Sequence, residues 1–113
     1  MKRNLTLTPE QRKHTQVVLE QVAAKFRTTP KEMLRPCKSQ KNIAMKRELW
    51  ARLLWEVGLS SVWAARVAKR DHTTLIYGMR RMGEEYYGLP FRSSLEEIGA
   101  VWKAHHLAWR EAA

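Results

Sequence analysis

Helix-starting signals recur along the whole chain, and nothing between them reads as a strand. Thr8-Pro9-Glu10-Gln11 combines an N-cap threonine, a proline at the first helical position and a glutamine at N3, a capping box. Val18, Leu19, Val22, Ala23 and Phe26 follow at helical spacing and predict a helix from 9 to 26. Thr29-Pro30-Lys31-Glu32 repeats the same logic for a short second helix to Leu34, and Pro36 stops it. A third helix is predicted from Asn42, with Leu49, Trp50, Leu53, Leu54 and Val57 on one side and Gly58 just past its end. No run alternates with period two, and the β-branched residues are scattered. The predicted class is all-α.

The remaining punctuation marks three further helices. Ser60 or Ser61 can cap a fourth, containing Val62, Trp63, Ala64 and Val67. Asp71 can cap a fifth with Leu75, Met79 and Met82 as its inward stripe, and Gly83, Gly88 and Pro90 then break the pattern. Ser94 with Glu97 forms another capping box and opens a sixth helix to about residue 111. Residues 89–94 form the joint between a domain over 8–88 and a C-terminal helical segment over 93–113. That last helix aligns Leu95, Ile98, Trp102 and Trp109 on one stripe. The stripe either packs back on the domain or offers a surface to a second copy or another protein, because large aromatics favour interface centres.

Charge narrows the function classes. The chain has 113 residues and a formal net charge of +10, an excess that suits a polyanionic partner. Residues 1–37 carry eight Lys and Arg against three acids, residues 38–81 carry ten against three, and residues 82–113 three against five. The positive field therefore belongs to the first two-thirds. With a single cysteine, Cys37, an internal disulfide framework is excluded. No apolar run approaches the length of a membrane span, and no apolar segment follows Met1-Lys2-Arg3-Asn4. A cytoplasmic, nucleoid-associated protein is expected. The histidines at 14, 72, 105 and 106 lack metal-ligand spacing, and Asp71-His72 has no partner nucleophile. Neither an enzyme nor a metal or other cofactor is expected, nor a small-molecule substrate.

The fourth and fifth predicted helices, joined at Ala68-Lys69-Arg70, suggest a helix-turn-helix. Thr73, Ile76, Tyr77 and Arg80 then face outward, and Arg70 and His72 can donate to base edges or phosphates. Asp71 serves as cap, or accepts from a cytosine amino group. Lys38, Lys41, Lys46, Arg47 and Lys69 are the expected phosphate contacts, with Ser61, Thr74, Tyr77 and Arg80 beside them.

The run from Ala68 to Met82, with Arg70-Asp71-His72-Thr73-Thr74 at its head, resembles the C-terminal DNA-binding domain of the bacterial replication initiator DnaA. The resemblance extends backward through Arg47 to Leu54 and Val18 to Leu34 and covers about residues 17–86. It implies a five-to-six-helix fold of the Trp-repressor and DnaA-domain kind, containing a helix-turn-helix, with the C-terminal amphipathic helix appended. It implies base readout by Arg70, Asp71, His72, Thr73 and Ile76, with Thr74 also against the major groove. Lys46 or Arg47 matches a phosphate-contacting position, Lys38 or Arg35 a basic loop in the minor groove, and Arg81 a position near the backbone. Ala68-Lys69 stands where the family has paired glycines, and Glu48 where it has glutamine, so a different site preference is expected. No G-x-x-x-x-G-K-[ST] occurs, which leaves out ATP-driven initiation. The expected role is a stand-alone, double-stranded-DNA-binding transcriptional regulator of bacterial or phage-derived genes. Competition for initiator boxes, or recruitment of polymerase or another regulator through the last helix, are the alternatives.

Overall fold

The computed structural model describes the backbone of residues 7–35 and 39–112, and the side chains of those stretches as far as His106. Among these residues every regular element is a helix: α1 (Pro9–Lys25), α2 (Pro30–Met33), α3 (Gln40–Arg52), α4 (Ser61–Val67), α5 (His72–Tyr87) and α6 (Leu95–Ala112). No described helix is long and apolar enough to cross a membrane. The capping chemistry is as the sequence indicates. Thr8 Oγ1 accepts from the Gln11 N–H at 3.0 Å, and the Gln11 side chain accepts from the Thr8 N–H at 3.0 Å. Thr29, Ser60 and Asp71 each cap the helix that follows, and Ser94 and Glu97 exchange both bonds of a second capping box.

Three boundaries differ from expectation. α3 starts earlier than Asn42, because Ser39 accepts from the Asn42 N–H at 3.2 Å and so caps the helix three residues upstream. Its C-terminal continuation, Leu53–Val57, widens into a π-helical turn that ends on Gly58 at φ +88°, with the Leu59 N–H donating back to the Leu53 carbonyl at 2.9 Å. α5 runs straight through Gly83 and stops only at Gly88, at φ +67°. Gly83 is buried in mid-helix, where it faces Ile98 of α6.

The core is one cluster to which all six helices contribute. Val18, Val22, Met33, Leu49, Leu53, Leu75, Met79 and Ile98 are fully buried in it. Two indoles from the α3 segment set the spacing to the helices that follow. Trp50 lies across Gly78 of α5, where an added Cβ would come within 2.8 Å of its ring. Trp55, on the π-helical turn, sits against Gly99 of α6, where a Cβ would overlap the indole outright.

Of the two arrangements left open for the stripe Leu95, Ile98, Trp102, the structure shows the one that packs back on the domain, and Ile98 is corrected as a partner contact because it is enclosed. Ile98 is fully buried, and Leu95 and Trp102 pack half-buried on the same core. The glycines at 83 and 99 are the reason, since they let α6 approach closely enough to bury its apolar face. Trp109 lies outside the described side chains. Trp55 and Trp102 face each other with ring centroids 5.7 Å apart, which ties α6 to the end of the α3 segment.

A charged cluster ties α1 to the π-helical turn. Arg52 Nε and Nη2 each donate to Glu56 at 2.8 Å, Nη2 also donates to the Gln21 side chain at 2.7 Å, and His14 Nε2 meets Glu56 at 3.0 Å. The Arg52 hydrogen bonds, supplemented by His14, hold the Glu56 carboxyl at about 2, well below its ordinary 4.5.

Replacing Gly99 by Ala should lower the melting temperature by several degrees. Alanine gains up to about 1 kcal/mol of helix propensity, but overpacking against Trp55 costs about 1–3 kcal/mol and decides the sign. Thermal unfolding followed by circular dichroism measures it. A folded-state carboxyl held low contributes stability that is complete above its unfolded value and is lost as pH falls through its folded value. Wild-type melting temperature should thus fall more steeply than that of Glu56→Gln between about pH 5 and about pH 2.

Candidate nucleic-acid interface

α4 and α5 meet at a turn whose geometry follows from one residue. After α4 ends, the Lys69 N–H donates to the Arg66 carbonyl and the Arg70 N–H to the Ala65 carbonyl, each at 2.9 Å. That pair of bonds is a Schellman closure, which needs a left-handed residue just past the helix. Lys69 takes that conformation at φ +56°, without the glycine that usually fills it. Ala68 is fully buried inside the turn. The sequence Ala68-Lys69 thus forms a tight turn, by placing the small residue inward and leaving the lysine outward and strained. The same closure ends α1, where Arg27 is at φ +56° and Thr28 donates to the Ala23 carbonyl at 2.9 Å.

The next residue but one starts α5. Asp71 is extended, and its Oδ1 accepts from the Thr74 N–H at 2.9 Å and from the Thr74 hydroxyl at 3.2 Å. The Thr74 N–H, the largest influence, holds the Asp71 carboxyl below its ordinary range. Asp71 is thereby occupied as a cap, and Thr74 Oγ1 is turned toward it. Behind this turn Leu75 and Met79 are fully buried, so the start of α5 is anchored from within.

What projects from that anchored end is polar and cationic. Lys69, Asp71, His72, Thr73 and Thr74 are exposed, and Arg70 is half-exposed. Arg66, in the last turn of α4, joins them, with its guanidinium 5.2 Å from the centre of the Trp63 ring. Arg66 was not among the expected contacts. The spacing i, i+3 from Trp63 on the exposed side of α4 is the signal that marks it. No ion pair among the described residues neutralises Arg66, Lys69, Arg70 or Arg80. Ser61 is half-exposed in the first turn of α4.

Further along α5 the outward stripe is less open. Tyr77 is 59% exposed and meets Phe91, itself exposed, edge to face at 5.5 Å between centroids. Phe91 is a second residue missed in the sequence, because only the loop after α5 brings it there. Ile76 is half-buried against the core. Arg80 is half-buried, with its Nε enclosed and unpartnered. Arg81 pairs with Glu84 at 2.9 Å and Glu85 at 3.0 Å.

The expected phosphate contacts around α3 are placed elsewhere. Arg47 reaches Glu85 of α5 at 2.8 Å, whereas Trp50, further along α3, lies over Gly78, so α3 and α5 run antiparallel. The start of α3 therefore sits beside the end of α5, at a distance from His72 and Thr73. Lys46 is corrected: only 5% exposed, it donates to the Arg35 carbonyl at 3.3 Å and its ammonium is not presented to a ligand. Burial of Met45 and Leu49 on the same face carries Lys46 inward with them. Arg47 is shielded between Glu85 and the Tyr86 ring. Arg35 is exposed but held by Glu32 at 2.9 Å, and Lys41 is exposed. Glu48 is paired with Lys25 at 2.7 Å, which offsets its charge. Lys38 lies outside the described residues.

The chain matches no family model, no curated protein and no solved structure.

The strain at Lys69 is measurable. Lys69→Gly should be more stable than Lys69→Ala by about 1 kcal/mol, because both remove the ammonium but only glycine relieves the left-handed backbone. Equal melting temperatures for the two variants would contradict this turn geometry.

Proposed function

We propose that this protein binds double-stranded DNA sequence-specifically, laying the first turn of α5 in the major groove, and that it regulates transcription without catalysing a reaction. One observation carries the reading: residues 69–74 project from a helix start held rigidly by Leu75 and Met79, with the cations at 66, 69 and 70 unneutralised. In this reading α4, the turn and α5 act as a helix-turn-helix. The similarity of residues 68–82 to the DnaA DNA-binding domain supports the same assignment.

The division of labour follows from chemistry. Arg70 and His72 offer N–H donors to base edges, and Thr73 offers a methyl and a hydroxyl. Arg66 and Lys69 supply sequence-independent attraction to phosphates, with Ser61 as a further donor. Asp71 is committed to its cap, so its negative charge is the cost of ordering the reading turn. Arg47 and Arg81 share Glu85 and contribute less to the backbone than their sequence positions promise.

His72→Ala and Thr73→Ala should each weaken binding to the preferred duplex by about 1–3 kcal/mol while leaving non-specific affinity nearly unchanged. Arg66→Ala with Lys69→Ala should instead weaken all duplexes alike and reduce the salt slope by about two. Fluorescence anisotropy on a selected and a scrambled duplex, across a salt series, separates the two patterns. Equal loss on both duplexes for the His72 and Thr73 variants would remove the readout assignment.

A further inference from the structure

The turn between α5 and α6 is held at both ends and exposed in the middle. The Leu89 N–H donates to the Gly83 carbonyl at 3.1 Å, the Ser93 N–H donates to the Pro90 carbonyl at 3.0 Å, and Ser93 is buried. Ser94 then caps α6. Phe91 and Arg92 occupy the central positions of the turn closed by Pro90 and Ser93, and both are exposed. This brings Phe91 edge to face against Tyr77 of α5, at 5.5 Å between centroids. A single exposed aromatic needs no explanation, but two exposed rings locked together on ordered backbone form a shaped surface.

The charge beside these rings comes from two unpaired arginines. Arg80 follows Thr73 and Tyr77 along one stripe of α5, and its Nε is enclosed and unpartnered. Neither Arg80 nor Arg92 makes an ion pair among the described residues. Of the acids that follow, Glu84 pairs with Arg81, Glu97 accepts from the Ser94 N–H, and Glu96 bridges to neither arginine. A second copy of the chain on this face, related by a two-fold axis, would set these arginines against their own copies. A phosphodiester strand complements them instead.

Position along α5 selects the part of the duplex. At ~1.5 Å per residue, Tyr77 stands about 6 Å and Arg80 about 10 Å along the helix from Thr73, against a major groove about 12 Å wide. With Thr73 at base edges, these residues reach the wall of the groove, where the sugar-phosphate strand runs. We infer that the turn after α5 is a second DNA-contacting element: Arg92 pairs with a phosphate of the strand bordering the groove, and Phe91 holds the Tyr77 ring so that its hydroxyl donates to the same strand. The inference rests on α5 as the reading helix, and it extends the contact to a segment outside the helix-turn-helix.

The test uses a duplex selected by the full chain from a random-sequence pool, remade with single neutral methylphosphonates along each strand and titrated by fluorescence anisotropy. Wild type should lose about threefold or more at a phosphate flanking the read bases, and Arg92→Ala should lose nothing further there. Arg92→Ala should also lower the salt slope by about one on selected and scrambled duplexes alike. Phe91→Ala should weaken binding about as much as Tyr77→Phe, and the two together no more than either alone. Arg92 is exposed, so its variant keeps the test decisive if Phe91→Ala lowers stability. Identical methylphosphonate profiles for wild type and Arg92→Ala would overturn the inference, as would unchanged affinity in both single variants of the turn. If His72→Ala still loses the preference for the selected duplex, that failure leaves reading by α5 intact, whereas a selection that yields no duplex removes both.

Discussion

The arrangement of this small protein depends on two tryptophans lying on two glycines. Trp50 and Trp55 leave the α3 segment in different directions, one across Gly78 of α5 and the other against Gly99 of α6. Each indole is large enough to bridge to a neighbouring helix, and each glycine lets the helix backbone come within contact of it. The π-helical turn from Leu53 to Val57 lies between the two and carries Trp55. A regular α-helical turn would rotate that residue to a different azimuth. Once both contacts are made, α5 and α6 are placed, and Ile98 closes over Gly83 to complete the core.

That packing also sorts the charges. Acids gather toward the end of α5 and along α3, where Glu84 and Glu85 tie down Arg81 and Arg47, and Glu48 and Glu56 hold Lys25 and Arg52. The start of α5 has only Asp71, and its carboxylate is turned onto the helix N–H groups. The excess of basic residues in the middle of the chain thus becomes, in space, an unneutralised cluster at one end of the molecule. Antiparallel packing of α3 and α5 keeps it apart from the cations of α3. The proposed DNA-facing end thus lies at His72 and Thr73, opposite the end of α5 that carries Tyr86 and Tyr87.

Helix existence and type were legible in the sequence because they depend on neighbours within a few residues. Thr8, Thr29, Asp71 and Ser94 cap the helices they precede, and Leu75, Met79 and Met82 form the buried stripe of α5, since a 3.6-residue period and a cap side chain need no knowledge of the rest of the chain. The candidate site was legible to the extent that it is local. Residues 70–74 are contiguous, and their exposure follows from the cap before them and the apolar stripe behind.

Everything that required knowing what lies across the core was decided by tertiary structure. Lys46 reads as a surface cation until Met45 and Leu49 turn its face inward, and Arg47 reads as free until antiparallel packing brings Glu85 to it. Gly83 reads as a helix stop until Ile98 needs the space, and Leu95, Ile98 and Trp102 read equally as a packed or an open stripe until Gly99 lets α6 close on Trp55. Phe91 joins Tyr77 only because the loop after α5 folds back. By itself the sequence determined where helices begin, which faces are apolar and where positive charge accumulates, because these are properties of short segments. Only the fold decided which cations stay unpaired and which apolar faces stay open, because pairing and burial depend on residues far apart in the chain.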